Sequence, residues 1–530
     1  MNAVEVLLIT LSALSLIAVG AKRLHIPAPI AFVLGGIALS FWPEFPKLKI
    51  APEHVLLIFL PVLLAEAAYF TSIRDFRQNL RPILQLAVGL VFFTSLAVAW
   101  VMQIAIPGFG WAAGIALGAI ISPPDAVAAT AIAKQVKMPK RVQTILEGES
   151  LVNDAVGLVI YKFAVAAAVT GAFSFTHASL SFAWMAIAGP AIGVAIGLGY
   201  VAIFKKLGET SVQLLGTFLI TFAAYILAEQ VHASGVLAVV ACGVVISWRA
   251  PTLFSSDFRF TSEAVWKMVA FVLNGVVFLL IGLQFTDIIG MVAPYGHFFL
   301  FKLAATVCLT TVLLRFVWVY ALTHGTRLMF PGLRKRDPVP PWQNVFIVAW
   351  AGMRGVVSLA TALALPLMTS AGDAFPHRDL IVFLSFTVIL FTLIVQGTSL
   401  PWLLRKLAVV HDWKFLHEDW HARKQAAEHA LEKLAALHTG GAQSAAFERI
   451  HAHYREKLEA LGGGPNTPLS TKEAPSAFNH PLIESERKIW QQVLEAEKHA
   501  IVKLRREFAI GDDVMHDLMH DIDLMHMRFR

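Results

Sequence analysis

The sequence predicts an all-α polytopic membrane protein with about thirteen transmembrane helices, an inverted repeat, two interrupted crossing helices and a soluble helical tail. Three observations carry that prediction. Hydrophobic residues fill 57% of the 530 positions and charged residues only 15%, against about 25% charged in ordinary globular chains. The charge is also unevenly shared: residues 1–410 hold 27 Lys/Arg and 17 Asp/Glu, whereas residues 411–530 hold 16 and 19. Residues 1–410 therefore read as a membrane domain and residues 411–530 as a water-soluble helical one. Finally, thirteen apolar runs approach the roughly 20 residues that a bilayer-spanning helix needs. A single soluble enzyme is excluded. So is a nucleic-acid binder, because the basic excess sits in short connections between apolar runs rather than on one continuous face.

In chain order the runs lie near 4–21, 26–42, 52–70, 82–106, 111–134, 141–171, 181–204, 211–230, 233–248, 263–289, 297–323, 341–368 and 378–405. The first is a retained helix and not a signal peptide, because Lys22 and Arg23 follow the apolar run instead of preceding it. Thirteen crossings with the charged tail inside put the N-terminus outside the plasma membrane. The inner connections then carry Lys22 and Arg23; Arg74, Arg77 and Arg81; Lys134, Lys137, Lys140 and Arg141; Lys205 and Lys206; Arg249 and Arg259; Arg327, Arg334, Lys335 and Arg336; and Arg405 and Lys406. The outer ones carry Lys47, Lys49, Lys302 and Arg378. Nineteen basic residues inside against four outside is the asymmetry that retains loops in the cytoplasm. Cys242 and Cys308 both fall in apolar runs, so neither a disulfide framework nor a cysteine metal site is expected.

Among the charged residues within the runs are Glu66, Asp125, Glu147, Glu149, Asp154, Lys162, Glu229, Arg315 and Arg354. A charge at a helix centre costs roughly 2.5–3.5 kcal/mol on insertion scales, so each needs a partner, a cavity or a task. Lys162, Glu229 and Glu147 suit snorkelling near helix ends. The others suit an ion or proton pathway.

Two runs cannot be continuous helices. Ser122-Pro123-Pro124-Asp125 interrupts the fifth, where two prolines remove backbone donors and clash with the preceding turn. Ala351-Gly352-Met353-Arg354-Gly355 interrupts the twelfth. Irregular backbone at membrane depth is tolerated only where it lines a cavity or faces protein. Paired interruptions in two halves of a chain point to a transporter's site. Just after the first break, the sixth run opens Glu147-Gly148-Glu149-Ser150-Leu151-Val152-Asn153-Asp154. At about 100° per residue, Ser150 and Asp154 share one helix face and Glu149 and Asn153 an adjacent one. Beside Asp125 they make a hard-oxygen cage, suited to a small cation or to protons on the same carboxylates. A polar seam that staples helices together is the alternative for any single Asn or Ser.

The run Ser122 to Val127, Pro139-Lys140-Arg141 and Leu146 to Asp154 resembles monovalent cation:proton antiporter family 1, the sodium/proton exchangers. Phe59 to Tyr69, Gly352 to Ala360 and Val395 to Pro401 match further hallmarks in order, and the likeness covers about residues 1–410. The resemblance implies a homodimer whose moving core bundle holds the ion site. It implies Asp154 as the ion- and proton-carrying carboxylate, Asn153 beside it, and Ser150 and Asp125 near the sodium ion. Glu149 is then salt-bridged within the core, with Arg354 the first-choice partner, and Glu66 matches an acidic position on the ion path of some members. Two departures stand out. Pro124 replaces a threonine found in many members, so a freed backbone carbonyl could stand in for its ligand. Asn274 replaces a glutamate that often faces the arginine corresponding to Arg315, which makes that second pair a hydrogen bond here.

The tail is helical by periodicity around 415–438, 443–461 and 483–509, with a flexible connector from Gly462 to Pro475. It holds twelve of the 19 histidines. His516 and His520 are spaced i,i+4 among Asp513, Asp517 and Asp521, a pattern that fits a packed amphipathic helix, a pH sensor or a metal site.

One carboxylate with two guests, a proton or Na⁺ (with Li⁺ and K⁺ as further candidates), gives exchange without ATP and without a cofactor; no phosphate-binding glycine loop occurs. Asn153 ahead of a single Asp154 predicts electroneutral one-for-one exchange. The rival readings are a K⁺/H⁺ antiporter of the same fold, a membrane sensor with vestigial transport, and an intramembrane aspartyl protease built on Asp125 and Asp154. The protease's usual Gly-x-Gly-Asp context is absent.

Overall fold

The structure, a computed structural model, describes residues 3–45, 52–125, 129, 138–204, 206–407, 413–437, 444–462 and 484–528. Lys47, Lys49, Lys134, Lys137, Lys205, the second half of the fifth run and the connector from Gly463 to Pro475 lie outside the described residues.

The chain is almost wholly helical. In order it forms α1 (Ala3–Leu24), α2 (Ala28–Ser40), α3 (Pro52–Phe70) and the short α4 (Ile73–Gln78). Next come α5 (Leu80–Ala105), α6 (Trp111–Ile121), α7 (Lys140–Thr170), α8 (Phe175–Phe204), α9 (Thr210–Gln230) and α10 (Gly235–Leu253). They are followed by α11 (Ser256–Leu283), α12 (His297–Met329), α13 (Trp342–Trp350), α14 (Val356–Leu363) and α15 (Arg378–Lys406). Eight helices among the described residues are long and apolar enough to cross a membrane. The remaining predicted runs hold shorter apolar helices: α2, α3, α6, α10, and the pair α13 and α14.

Both predicted interruptions are present. α6 stops at Ile121 and Ser122–Asp125 is non-helical; α13 stops at Trp350 and Ala351–Gly355 is non-helical until α14 begins. Continuity elsewhere follows from composition. α7 runs for 31 residues with no proline and ends at Gly171, whose φ of +70° is the left-handed conformation that glycine supplies at a helix C-terminus.

Two apolar cores meet inside the bundle. The larger joins α5, α6, α12, α13, α14 and α15 with α1, α2 and part of α11, through residues such as Leu86, Leu117, Leu303, Ile347 and Leu384. The smaller joins α3, α8, α9, α10 and the start of α11, through Leu64, Phe204, Val239, Phe258 and Trp266. α7 belongs to both. Val156 and Ile160, one turn apart, face the larger core, while Leu151 and Ala155 face the smaller. The helix that carries Ser150, Asn153 and Asp154 therefore lies on the seam.

The C-terminal helices α16 (Trp413–Leu437), α17 (Ser444–Leu461) and α18 (Glu484–Arg506) agree closely with the periodicity, and with α19 (Asp512–Arg528) they build a third core around Ala426, Tyr454, Trp490 and Met515. His520 is exposed and stacks on Phe260 of α11, with ring centroids 6.2 Å apart. His516 is half-buried, and burial pushes its imidazole pKa below the ordinary value. The carboxylates of Asp512, Asp513 and Glu263 pull it the other way, and Arg505 adds to the lowering. A group that binds protons less well when packed loses stabilising free energy as pH falls from its free value, about 6.5, toward its packed one. Docking of α19 is therefore expected to loosen on acidification from about pH 7.5 to 6, and His516→Gln should flatten that dependence. Amide hydrogen exchange of α19 at the two pH values checks this; equal slopes in wild type and variant would refute it.

Candidate functional site

The site grows from what breaking a helix leaves behind. A helix that stops leaves its last carbonyls without intrahelical partners and with a partial negative charge. Here each break is served by a buried arginine. Arg354, 1% exposed, donates from Nε to the carbonyl of Ile121, the last residue of α6, at 2.8 Å, and from Nη1 to the carbonyl of Gly352. Arg315 of α12 donates from Nε to the carbonyl of Val348, near the end of α13, at 3.2 Å.

The two breaks are also bonded to each other. The backbone N–H of Asp125 donates to the carbonyl of Met353 at 2.7 Å. Gly355 lies so close to Asp125 that a Cβ there would sit 1.8 Å from Asp125 Oδ2, so a side chain at position 355 would displace the carboxylate. On the far side, Thr392 of α15 accepts from the backbone N–H of Arg354 at 3.1 Å and donates to the carbonyl of Val388.

α7 passes the crossing at close range. A Cβ on Gly157 would sit 2.6 Å from Pro123 Cγ, so this glycine lets the long helix seat against the proline pair. Four residues earlier, the amide of Asn153, fully buried, donates from Nδ2 to the carbonyl of Pro124 at 3.0 Å. Its Oδ1 is buried with no hydrogen-bond partner among the described residues. Asp154, the next residue, is half-buried and close enough to Asp125 for their charges to interact. Ser150 is half-buried one turn before it on the same face. Asp125, Ser150, Asn153 and Asp154 are thus gathered where α7 meets the breaks. Glu66 stands half-buried on α3, which packs against α10 and α14 in the smaller core beside that seam.

One expected pairing is corrected. Glu149 does not pair with Arg354; it accepts from Arg315, Nη1 to Oε1 at 2.6 Å and Nη2 to Oε2 at 2.8 Å, with both side chains almost fully buried. Arg354 is instead committed to the carbonyls of Ile121 at the first break and Gly352 at its own, where partial charges replace a carboxylate. Among the described residues, Arg315 bonds Val348 and Glu149 rather than Asn274, so the expected Arg315–Asn274 hydrogen bond is not formed. The snorkelling pair is also more specific than expected. Lys162 and Glu229 bind one another at 3.1 Å, partly exposed. Sequence reasoning missed Thr392, whose role depends on meeting Arg354 across 38 residues of chain.

A fold of this kind, with two interrupted helices crossing in a helical bundle and carboxylates at the crossing, defines an ion-coupled membrane transporter by its architecture. The chain belongs to the transmembrane sodium/hydrogen exchanger family, which matches residues 8–406. A Mycobacterium tuberculosis protein named an uncharacterized Na⁺/H⁺ exchanger is 32% identical over 509 residues, covering 95% of this chain and 92% of its own length. A Bacillus subtilis protein named a sodium, potassium, lithium and rubidium/H⁺ antiporter is 30% identical, covering 94% of this chain and 74% of its own. Among solved structures, the sodium proton antiporter MjNhaP1 of Methanocaldococcus jannaschii superposes with a TM-score of 0.60 at 19% identity, over 77% of this chain and 99% of that one. That likeness establishes the fold.

The bidentate pair generates a prediction about stability. Removing one partner of a buried, hydrogen-bonded ion pair strands the other charge and costs about 3–5 kcal/mol. Arg315→Ala and Glu149→Gln should each lower the detergent-solubilised unfolding temperature markedly, and the double variant should lose less than the sum of the two. Scanning fluorimetry of the four proteins closes the cycle. Strict additivity would mean that the two side chains do not support each other.

Proposed function

We propose that the chain is a secondary-active antiporter that exchanges Na⁺ for H⁺ at Asp154 by alternating access. The observation that carries this reading is the placement of Asp154 beside Asp125 on the seam between the two bundle cores, against two broken helices. A carboxylate there takes one guest at a time. A proton neutralises it, and a sodium ion held by Asp154, Ser150 and Asp125 favours the ionised form and expels that proton. If the bundle around α7 rocks only when Asp154 is neutralised by one guest or the other, each crossing exchanges one cation for one proton. Asn153 fixes the Pro124 carbonyl on the break and supplies no titratable group. Glu149 is occupied by Arg315 and lies outside the cage in this mechanism. Glu66, on the α3 side of the seam, borders the approach.

The proposal extends to setting. The protein works as a homodimer in the plasma membrane, with the N-terminus outside and residues 411–530 in the cytoplasm, as the basic excess of the inner connections suggests. K⁺ as the exchanged cation is the second reading, favoured by the name of the Bacillus subtilis relative, which includes potassium.

Asp154→Asn keeps the shape of the side chain and removes the titratable group. It should insert and purify normally yet dissipate no pH gradient on addition of Na⁺, Li⁺ or K⁺ to proteoliposomes. Exchange at the wild-type rate in this variant would place the carrier elsewhere.

Stoichiometry follows from the same count of groups. With Asp125 holding one charge state through the cycle, the site has the same net charge with either guest, and membrane voltage does no work on the exchange. Lys162 is two turns from Asp154, about 12 Å along the helix, and is bound to Glu229. It is poorly placed to carry a second proton. Proteoliposome exchange with and without a potassium–valinomycin potential should therefore proceed equally, and an endpoint that follows the imposed voltage would contradict one-for-one exchange.

A further inference from the structure

The C-terminal helices grip both bodies that meet at α7. On the α7 side, Arg74 of α4 donates from Nη2 to both oxygens of Glu418 of α16 at 2.8 and 2.6 Å, and from Nη1 to the carbonyl of Phe508 at 3.2 Å. Asp512, the first residue of α19, accepts from the backbone N–H of Ile73 at 2.8 Å and of Arg74 at 3.4 Å. Lys140, the first residue of α7, pairs with Asp513 at 2.8 Å. α4 is itself fastened to α7, because Arg141 donates to Asn79 Oδ1 at 3.1 Å. Toward the smaller core, Arg259 of α11 holds Asp523 through two bonds of 2.8 and 2.5 Å. Arg505 donates to the carbonyl of Trp248 on α10 at 2.8 Å and also binds Asp512.

The polarity of these contacts is one-sided. The membrane bundle supplies Arg74, Lys140 and Arg259, while the tail answers with Glu418, Asp513 and Asp523. The first two cations line a cavity of about 610 Å³ at this end of the bundle, and Glu418, Gly511 and Asp513 form part of its wall. The bonds of these tail residues fall on α4, α7, α10 and α11 at the end of the bundle. What the tail can affect is movement across the seam.

We propose that α16 and α19 form a clasp that ties the α7 side of the seam to the α10–α11 side and restrains the relative motion that exchange requires. This rests on the antiporter reading above. The pairs range from the largely buried Arg259–Asp523 to the part-exposed Lys140–Asp513, and because none of them touches the ion site the clasp slows the cycle and does not abolish it. Release needs only that the acidic residues of the tail part from the basic rim.

The test uses the full chain in proteoliposomes. Asp523→Arg should raise the exchange rate by at least about fivefold, the factor that even a surface pair can supply, with the half-saturating cation concentration unchanged. Arg259→Asp combined with Asp523→Arg restores the pair with reversed polarity and should return the rate to that of wild type. A second arm does not depend on weakening anything. Lys140→Cys with Asp513→Cys, joined by a bismaleimide, should lock the clasp and suppress exchange; the native Cys242 and Cys308 are buried and leave the new pair as the reactive one. If the cross-linked protein exchanges at the wild-type rate, or if the single and swapped variants behave alike, the clasp is wrong while the antiporter reading stands. If wild type itself exchanges no cation for protons, both fall together.

Discussion

The structure turns on how carbonyl groups are satisfied where two helices stop inside a membrane bundle. An unpaired backbone acceptor away from water costs about as much as a lost hydrogen bond and more when the surroundings are apolar. Several such groups gather at each break. The fold meets the demand with two arginines that would themselves be prohibitively costly if left unpaired. Arg354 takes Ile121 and Gly352, and Arg315 takes Val348 together with Glu149. Each liability offsets the other, and this is why charged side chains can sit at depth without facing water.

From that arrangement much of the remaining geometry follows. Holding Ile121 in place positions Ser122 to Asp125, and the bond from Asp125 N–H to Met353 passes the constraint to the second break. Asn153 reaches the Pro124 carbonyl from α7, so the amide is a structural partner of the break as well as a neighbour of Asp154. Gly157 and Gly355 mark the two places where backbone or side chain comes too near for a Cβ. Substituting either would disturb the same few ångströms from opposite sides.

The positions of the breaks were legible in the sequence because proline pairs and glycine clusters have direct backbone consequences. The gathering of Asp125, Ser150, Asn153 and Asp154 was legible because helix periodicity places two of them on one face and the break supplies another. The partner of Arg354 was not. Sequence reasoning matches a buried cation to a carboxylate, since a carboxylate has a letter, whereas the carbonyl at a helix end is created by the fold. Glu149 then seemed the natural mate for Arg354, and only the approach of α12 shows that Arg315 claims it. The docking of the tail was hidden for a related reason. Arg74 and Glu418 are 344 residues apart, and nothing in either local pattern distinguishes them from ordinary solvated charges.

The seam explains why the breaks and the two cores belong to one design. Because the interrupted helices are bonded to each other and to α7, a shift of Asp125 relative to Asp154 would cost those bonds. A cation bound between them would therefore be carried with its ligands rather than handed from one to the next. The compliant surface must lie elsewhere, and α7 indicates where. One of its faces is packed by Val156 and Ile160 into the larger core, while the opposing Leu151 and Ala155 meet the smaller core through apolar contacts. Apolar contacts are non-directional, so sliding there exchanges one set for another, and the directional bond it gives up is the partly exposed Lys162–Glu229 pair. A site built from directional bonds beside a surface built from non-directional ones can keep its ion geometry while changing the side to which it opens.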